Sequence, residues 1–381
     1  MTKPMLSKKN DVVYGRQIAF AAAFLLPAAK LLETPSILAK YTEGDLLLPA
    51  LFHFLLQAGV LAVLVYVSSQ SEKSILERLE LRFGKWVRVL FFLYAAYFIF
   101  ASLLPLFDLE KYIYAAFFDT SPTFFSFIFF FPVSAFICVK GIKSIGRAAD
   151  ICLFLFLLPF AALIVMSLSE ADLSHLLPLF GSKFGDTMSA FMKTTPHFSD
   201  AVLLLPLIAN YRYEKKDGIK IMAGYGTGAV LTLVFLAVFY GVYSSIAPRE
   251  HYAFSKIAQY FPALNVIGRT DLLFVYLLTI VLLIFTSMPL LFATDLICRA
   301  FPTNKKVLVS IILNFVLFLL IFYFNKNYNE FYRIISKQLF FIFLLFADIF
   351  PLFLLFLPSY SETKNTIQRV PAPTEKEIDR A

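Results

Sequence analysis

Apolar runs of roughly 20 residues recur along this chain, each closed off by a short polar segment. A helix of that length crosses a hydrocarbon layer roughly 30 Å thick. The pattern predicts ten spans, over residues 14–38, 46–69, 86–107, 123–139, 148–168, 188–210, 219–246, 272–300, 307–324 and 339–357. The first and sixth are not cleanly apolar. Residues 25–38 contain Pro27, Lys30, Glu33 and Pro35, and residues 188–208 contain Lys193, Pro196, His197, Asp200 and Pro206. Proline removes an N–H donor and pushes the preceding residue away from helical geometry. A break is therefore expected in the sixth span, with Thr195 as N-cap and Pro196 opening a second half-helix. The same grammar recurs at Thr34–Pro35, with Pro27 nearer the middle of its span.

Irregular backbone at membrane depth persists only where it is buried in protein or lines a cavity. Each ionisable group in a span costs about 2.5–3.5 kcal/mol on insertion scales. Lys193, His197 and Asp200 are spaced i, i+4 and i+7 and would share one face of an unbroken helix; Lys30 and Glu33 are spaced i, i+3. Pairing across the two spans is expected, Lys30 with Asp200 or Glu33 with Lys193. Broken, charged helices at matching positions of two halves point to a small-solute site near the midplane. A structural clamp is the alternative reading of the same charges. Pro35 and Pro206 read as kinks, Asp295 and Asp348 as interfacial, Tyr94 and Tyr97 as packing, and the Phe-rich run 124–131 as lipid-facing.

Between spans, residues 71–85 set charges against Ile75, Leu76, Leu79 and Leu81, the pattern of an amphipathic surface helix. Residues 253–260 predict a short helix on the opposite face. The segment 1–13 is polar and predicts no cleaved leader of the usual type. The tail 358–381 is polar and proline-containing, and is expected to be disordered. The transmembrane unit thus occupies 14–357, with no soluble domain.

Composition supports this reading. The chain is 59% hydrophobic, contains 46 Phe and has a mean hydropathy of +0.75, with 16% charged residues; soluble domains carry about a quarter. The net charge of +8 does not form a nucleic-acid stripe, because it alternates with the connecting segments. One set of connections and both termini hold about 23 Lys and Arg against about nine in the other set, which predicts cytoplasmic termini, as ten spans require. Cys138, Cys152 and Cys298 and the four histidines show no metal or disulfide spacing. There is no Ser/His/Asp grouping, no HExxH and no Gly-rich phosphate loop. Neither an enzyme nor a cofactor is expected.

Several stretches, in order, resemble the spore germination permease family, the B subunit of nutrient germinant receptors, within the amino acid–polyamine–organocation transporter superfamily. They are Leu32-Glu33-Thr34-Pro35-Ser36-Ile37-Leu38-Ala39 followed by Gly44-Asp45, Gly141-Ile142-Lys143-Ser144-Ile145-Gly146-Arg147 before span five, Leu176-Leu177-Pro178 with Gly181, and Ile267-Gly268-Arg269-Thr270-Asp271 before span eight. The resemblance covers about Arg16 to Leu357. It implies an all-α fold of two inverted five-helix repeats with helices 1 and 6 broken. It also implies a pocket for an amino acid or similar germinant between spans one, three, six and eight, and A-type and C-type partner subunits in a spore inner membrane. The residues it assigns to that pocket are Pro27, Ala28, Ala29, Lys30, Tyr97, Thr194, Thr195, His197, Phe198, Asp200, Thr286 and Ser287; Glu33 joins them as the neighbour of Lys30. Pro27-Ala28-Ala29 stands where the superfamily has a glycine-rich unwound motif. A proton-coupled amino-acid transporter, with Asp200, Glu33 and His197 as proton carriers, is the alternative function. A structural or channel-forming subunit without a solute site is the third.

Overall fold

A computed structural model describes residues 13–71, 73–117, 127–178, 180–211, 213–214, 216–260, 271–303, 305–325 and 340–358. Fourteen helices are described: α1 (Gly15–Lys30), α2 (Thr34–Thr42), α3 (Leu47–Ser69), α4 (Ile75–Phe83), α5 (Val87–Phe117), α6 (Phe130–Lys140), α7 (Ile142–Ser167), α8 (Phe184–Thr194), α9 (Asp200–Ala209), α10 (Asp217–Tyr243), α11 (Ala253–Tyr260), α12 (Asp271–Ala300), α13 (Lys306–Asn325) and α14 (Phe340–Phe356). Six of the described helical segments are long and apolar enough to cross a membrane, and the pair α1–α2, bent by 62°, makes a seventh span. The pair α8–α9 and the shorter apolar helices α6 and α14 occupy the three remaining expected positions. The expected tail and the motif residues Ile267 to Thr270 lie outside the described residues.

The breaks follow the prolines, with shifted details. Residues Ala21–Leu25 of α1 and Leu344–Ile349 of α14 wind as π-helix. Each π segment lies just before a proline, Pro27 or Pro351. A proline ring collides with the carbonyl four residues back, here Ala23 or Ala347, and the wider π turn moves that carbonyl aside. The first span then breaks at Leu31 to Glu33, with Pro35 in the first turn of α2. In the sixth span Thr195 is not the cap of the second half-helix. Thr195–Phe198 form a 3₁₀ turn, and Ser199 precedes α9. Pro196 has no N–H, so the 3₁₀ turn loses nothing by starting there.

Other expectations shift as well. Span three continues ten residues past Phe107, to Phe117, and carries Asp108, Glu110 and Lys111 in the helix. Residues Ile142 to Arg147 belong to α7, and only Gly141, at φ +85°, makes the turn. The run 124–131 is not lipid-facing where it is described: Phe127, Phe130 and Phe131 are buried and Phe129 alone among them is exposed. In α4, capped by Ser74, Leu81 is exposed while Arg78 is fully buried. Arg78 donates to the carbonyls of Val67, Leu357 and Pro358 and so ties α4 to the ends of α3 and α14. Asp348 is not interfacial but buried. Two of the motifs meet in space: Asp45 accepts from the backbone N–H of Phe180 (2.7 Å) and Ser182 (2.5 Å).

Most spans pack in two groups, with α7 against both. One contains α1–α2, α3, α8–α9 and α10; the other contains α5, α6, α12 and α13. Gly224 and Gly228 of α10 let its backbone close onto α1. A Cβ on Gly228 would lie 2.5 Å from the Ala22 carbonyl oxygen and 3.0 Å from the Pro27 ring, and one on Gly224 would overlap the Ala19 backbone. Small residues four apart serve this close approach in membrane helices.

Candidate functional site

A broken helix leaves backbone donors and acceptors that hydrocarbon cannot satisfy. Other helices satisfy them here. At the first break, the carbonyls of Leu31 and Leu32 accept from the N–H groups of Phe254 and Ala253, the first turn of α11, both at 3.0 Å. At the second break, two residues of α3 one turn apart act from either side. His53 Nε2 lies 3.0 Å from the Phe191 carbonyl and 3.1 Å from Thr194 Oγ1, with its ring stacked between Phe191 and Phe198. Gln57 accepts from the Ala201 N–H at 3.0 Å and donates to Asp348 at 2.5 Å.

The expected Lys30–Asp200 pair is present. Nζ lies 2.5 Å from Oδ1, and the two side chains are 1% and 2% exposed. Tyr225 of α10 donates to the other carboxylate oxygen at 3.2 Å, and Lys30 Nζ stands 5.3 Å above the Phe198 ring. Asp200 opens α9, where the helix dipole favours a carboxylate. The pair therefore cross-links α1, α9 and α10 within one group of helices.

Between the two groups lies a cavity of about 30 Å³, room for about two water molecules. From the first group Ala29, Leu32, Pro196, His197, Ser199 and Leu203 line it. From the second come Tyr97, Ala101, Pro105 and Asp108 of α5 and Leu282, Phe285, Thr286 and Pro289 of α12; Phe343 of α14 closes it. Pro105 and Pro289 cannot donate to the carbonyls four residues back. Those carbonyls belong to Ala101 and Phe285, both in the cavity wall. Asp108 Oδ1 is buried without a partner, while Oδ2 is 3.9 Å from His197 Nδ1. The Tyr97 hydroxyl lies beside Ser199 but makes no hydrogen bond of good geometry. The cavity wall is thus mainly apolar, with Asp108, His197, Tyr97, Ser199 and Thr286 as its polar side chains.

Of the expected pocket residues, Ala29, Tyr97, His197 and Thr286 meet at this cavity. Lys30 and Asp200 are bonded to each other. Phe198 and Thr194 support His53. Thr195 Oγ1 bonds the Phe191 carbonyl and Ser287 Oγ the Leu283 carbonyl. Pro27 and Ala28 are buried behind the wall, with Pro27 against Gly228. Glu33 and Lys193 both line a separate cleft of about 620 Å³ beyond the breaks. Lys193, His197 and Asp200 therefore do not share a face: the 3₁₀ turn sends them to the cleft, the cavity and the clamp. Asp108, His53, Gln57 and Tyr225 were missed. Asp108 fell beyond the expected end of span three, and His53 and Gln57 show only an i, i+4 polar spacing in an apolar helix. Among the described residues no three His, Cys, Asp or Glu side chains gather to hold a metal ion.

The architecture is that of solved transporters. The chain is similar to the manganese transporter of Eremococcus coleocola in complex with an aromatic bis-isothiourea substituted compound, with a TM-score of 0.60 at 14% identity over 91% of this chain and 80% of that one. A histidine-to-alanine mutant of the same transporter gives a TM-score of 0.56 at 14% identity, over 88% of this chain and 78% of that one. At such identity the likeness concerns the fold: an all-α, ten-helix membrane protein of two five-helix repeats, with helices 1 and 6 broken. No curated protein matches the chain. The family described as "Spore germination protein" matches residues 20–329, from α1 through α13, and the chain belongs to that family.

Proposed function

We propose that this chain is the nutrient-sensing subunit of a spore germinant receptor, and that the cavity between α1, α5, α9 and α12 receives an amine-bearing nutrient such as an amino acid. The observation that carries this reading is Asp108, whose Oδ1 is buried without a partner on the wall of this small, mainly apolar cavity. An ammonium group supplies charged donors to such a carboxylate. Family membership supports a role in germination. The chain would sit in the spore inner membrane with both termini cytoplasmic, as the basic connections suggest, and act with A-type and C-type subunits.

The cavity is smaller than any amino acid, so a ligand binds only a conformer in which the two helix groups stand further apart. A ligand shifts an equilibrium by its differential affinity for the two states, and here that difference is steric. The group containing α1 is cross-linked by Lys30, Asp200, Tyr225, His53 and Gln57, so it would move as one body and convey the change to partner subunits. Spores carrying Ala29→Phe, which fills the cavity, should lose their response to one nutrient class. Unchanged germination to every nutrient would sink the proposal. The Asp108–His197 contact between the two groups favours a second reading, a proton-coupled amino-acid transporter. Uptake of labelled amino acid into vesicles under a pH gradient, abolished by Asp108→Asn, would select it.

A further inference from the structure

The cleft beyond the breaks has a composition that the nutrient cavity does not explain. Its volume, about 620 Å³, falls in the usual range for small-molecule sites. Four cationic side chains line it, each from a different segment: Lys40 from α2, Lys111 from α5, Lys193 from α8 and Arg249 from the turn before α11. His251 stands at the same wall, and Glu33 is the one carboxylate in the lining. Glu33 already lies in the field of Lys111 and His251. The neighbouring carboxylate of Glu250 is held by Lys256 at 3.4 Å, and Asp108 faces the deeper cavity. Lys and Arg outnumber Glu33 four to one in the lining, although Lys111 also lies in the field of Asp108 and Glu110 just behind it. A concave, low-dielectric wall of one sign focuses its field on the enclosed space. Nothing in the amine-selective cavity requires this, since a basic vestibule repels a free cation.

We infer that this cleft is a second site, which binds small anions bearing two negative charges on carboxylate or phosphate groups. Arg249 presents a planar fork suited to either group, and the lysines of three helices converge around it. A dianion there would bridge α2 and α8, in one helix group, to α5 in the other. Three helices link the cleft to the cavity along one path: Glu33 follows Leu32, Lys111 lies one turn beyond Asp108, and Lys193 one turn before His197. An anion in the cleft therefore sits over the outer end of the nutrient cavity and ties the two groups together at that end. The inference does not depend on which nutrient, if any, enters below.

The test is equilibrium binding to the full-length protein in nanodiscs of neutral phosphatidylcholine at low salt, with succinate, inorganic phosphate and the uncharged isostere succinamide as probes. Succinate and phosphate should bind and succinamide should not. Lys193→Gln and Arg249→Gln should each weaken succinate about five- to tenfold. Lys40→Gln should weaken it as well, and because Lys40 is exposed this variant guards against a folding artefact. Lys183→Gln, an exposed residue of the same protein face outside the cleft, should change nothing. Repeating the measurement in nanodiscs containing phosphatidate, a phosphomonoester lipid able to carry two charges, identifies the source of the anion. Loss of succinate binding there assigns the cleft to a lipid headgroup, and retention assigns it to a soluble anion. Absence of succinate and phosphate binding in neutral nanodiscs, or equal binding by wild type, Lys40→Gln and Arg249→Gln, overturns the inference. No arm uses a nutrient or a germination readout, so failure here is separate from failure of the proposed function.

Discussion

Lys30→Met is the most direct perturbation of the break. Methionine keeps most of the side-chain length, so the loss is chiefly that of the charge. Asp200 would keep the Tyr225 hydroxyl and its place at the start of α9. Removing one partner of a buried ion pair costs about 3–5 kcal/mol. The helix dipole and the remaining hydrogen bond offset about 1–2 kcal/mol of that, which leaves about 1–4 kcal/mol. Asp200→Asn alone strands the ammonium against the Leu26 carbonyl, 3.4 Å away, and the Phe198 ring, at a similar cost. With both changes no buried charge remains and the new side-chain amide can still accept from Tyr225, so the double variant should sit within about 1 kcal/mol of wild type. The four proteins close a double-mutant cycle, read by reversible unfolding in mixed micelles titrated with dodecyl sulfate. A coupling energy below about 0.5 kcal/mol, the level at which independent sites already scatter, would refute the clamp. A stable double variant that has lost its nutrient response would place the pair in ligand recognition instead.

Gly228→Val should destabilise the protein by about 1–3 kcal/mol or more through overlap with the Ala22 carbonyl and Pro27, whereas Gly226→Ala, with no atom within 4 Å of the new Cβ, should be neutral or stabilising in the same thermal melts. His53→Ala empties the space between Phe191 and Phe198 and strips the Phe191 carbonyl of a partner, and should cost about 2–4 kcal/mol in micelle unfolding. Asp108→Asn should leave unfolding within about 1 kcal/mol while raising the nutrient concentration for half-maximal germination at least about tenfold, the value of one charged hydrogen bond. Arg78→Met should lower the melting temperature and expose α4 to protease, because three carbonyls lose their donor at once.

The spans were legible because hydrophobic length is a one-dimensional signal and the membrane enforces it. The breaks were legible because proline acts on its own neighbours, and the Lys30–Asp200 pairing because two opposite charges in hydrocarbon have few other solutions. What satisfies the breaks was not legible. The N–H groups of Ala253 and Phe254 carry no side-chain signature, and His53 and Gln57 look like stray polar residues until α3 is laid against α8 and α9. Asp108 was hidden by an expected span end at Phe107. The polar residues that follow are buried by helix packing rather than exposed in a loop, a fact of tertiary structure. The cap of α9 was misplaced because Pro196 can begin a 3₁₀ turn as readily as an α-helix.

Under the proposed function, these differences would relocate recognition within the protein. The sequence draws attention to the broken helices, since their charges and prolines are conspicuous. Yet several groups at the broken ends are already engaged: α11 covers the Leu31 and Leu32 carbonyls, α3 covers Phe191 and Ala201, and Lys30 neutralises Asp200. A group whose hydrogen bonds are complete offers little to a ligand, because binding would first have to break them. The cavity's unpartnered carboxylate oxygen belongs to the continuous helix α5, at Asp108, and Pro105 and Pro289 place residues of α5 and α12 in the same wall. If the proposed function holds, the broken helices would shape one wall of the cavity, while α5 and α12 would supply its polar contacts. On this argument substitutions that alter which nutrient is sensed should cluster on α5 and α12, and substitutions on α1 and α9 should alter how strongly any nutrient is coupled to the response.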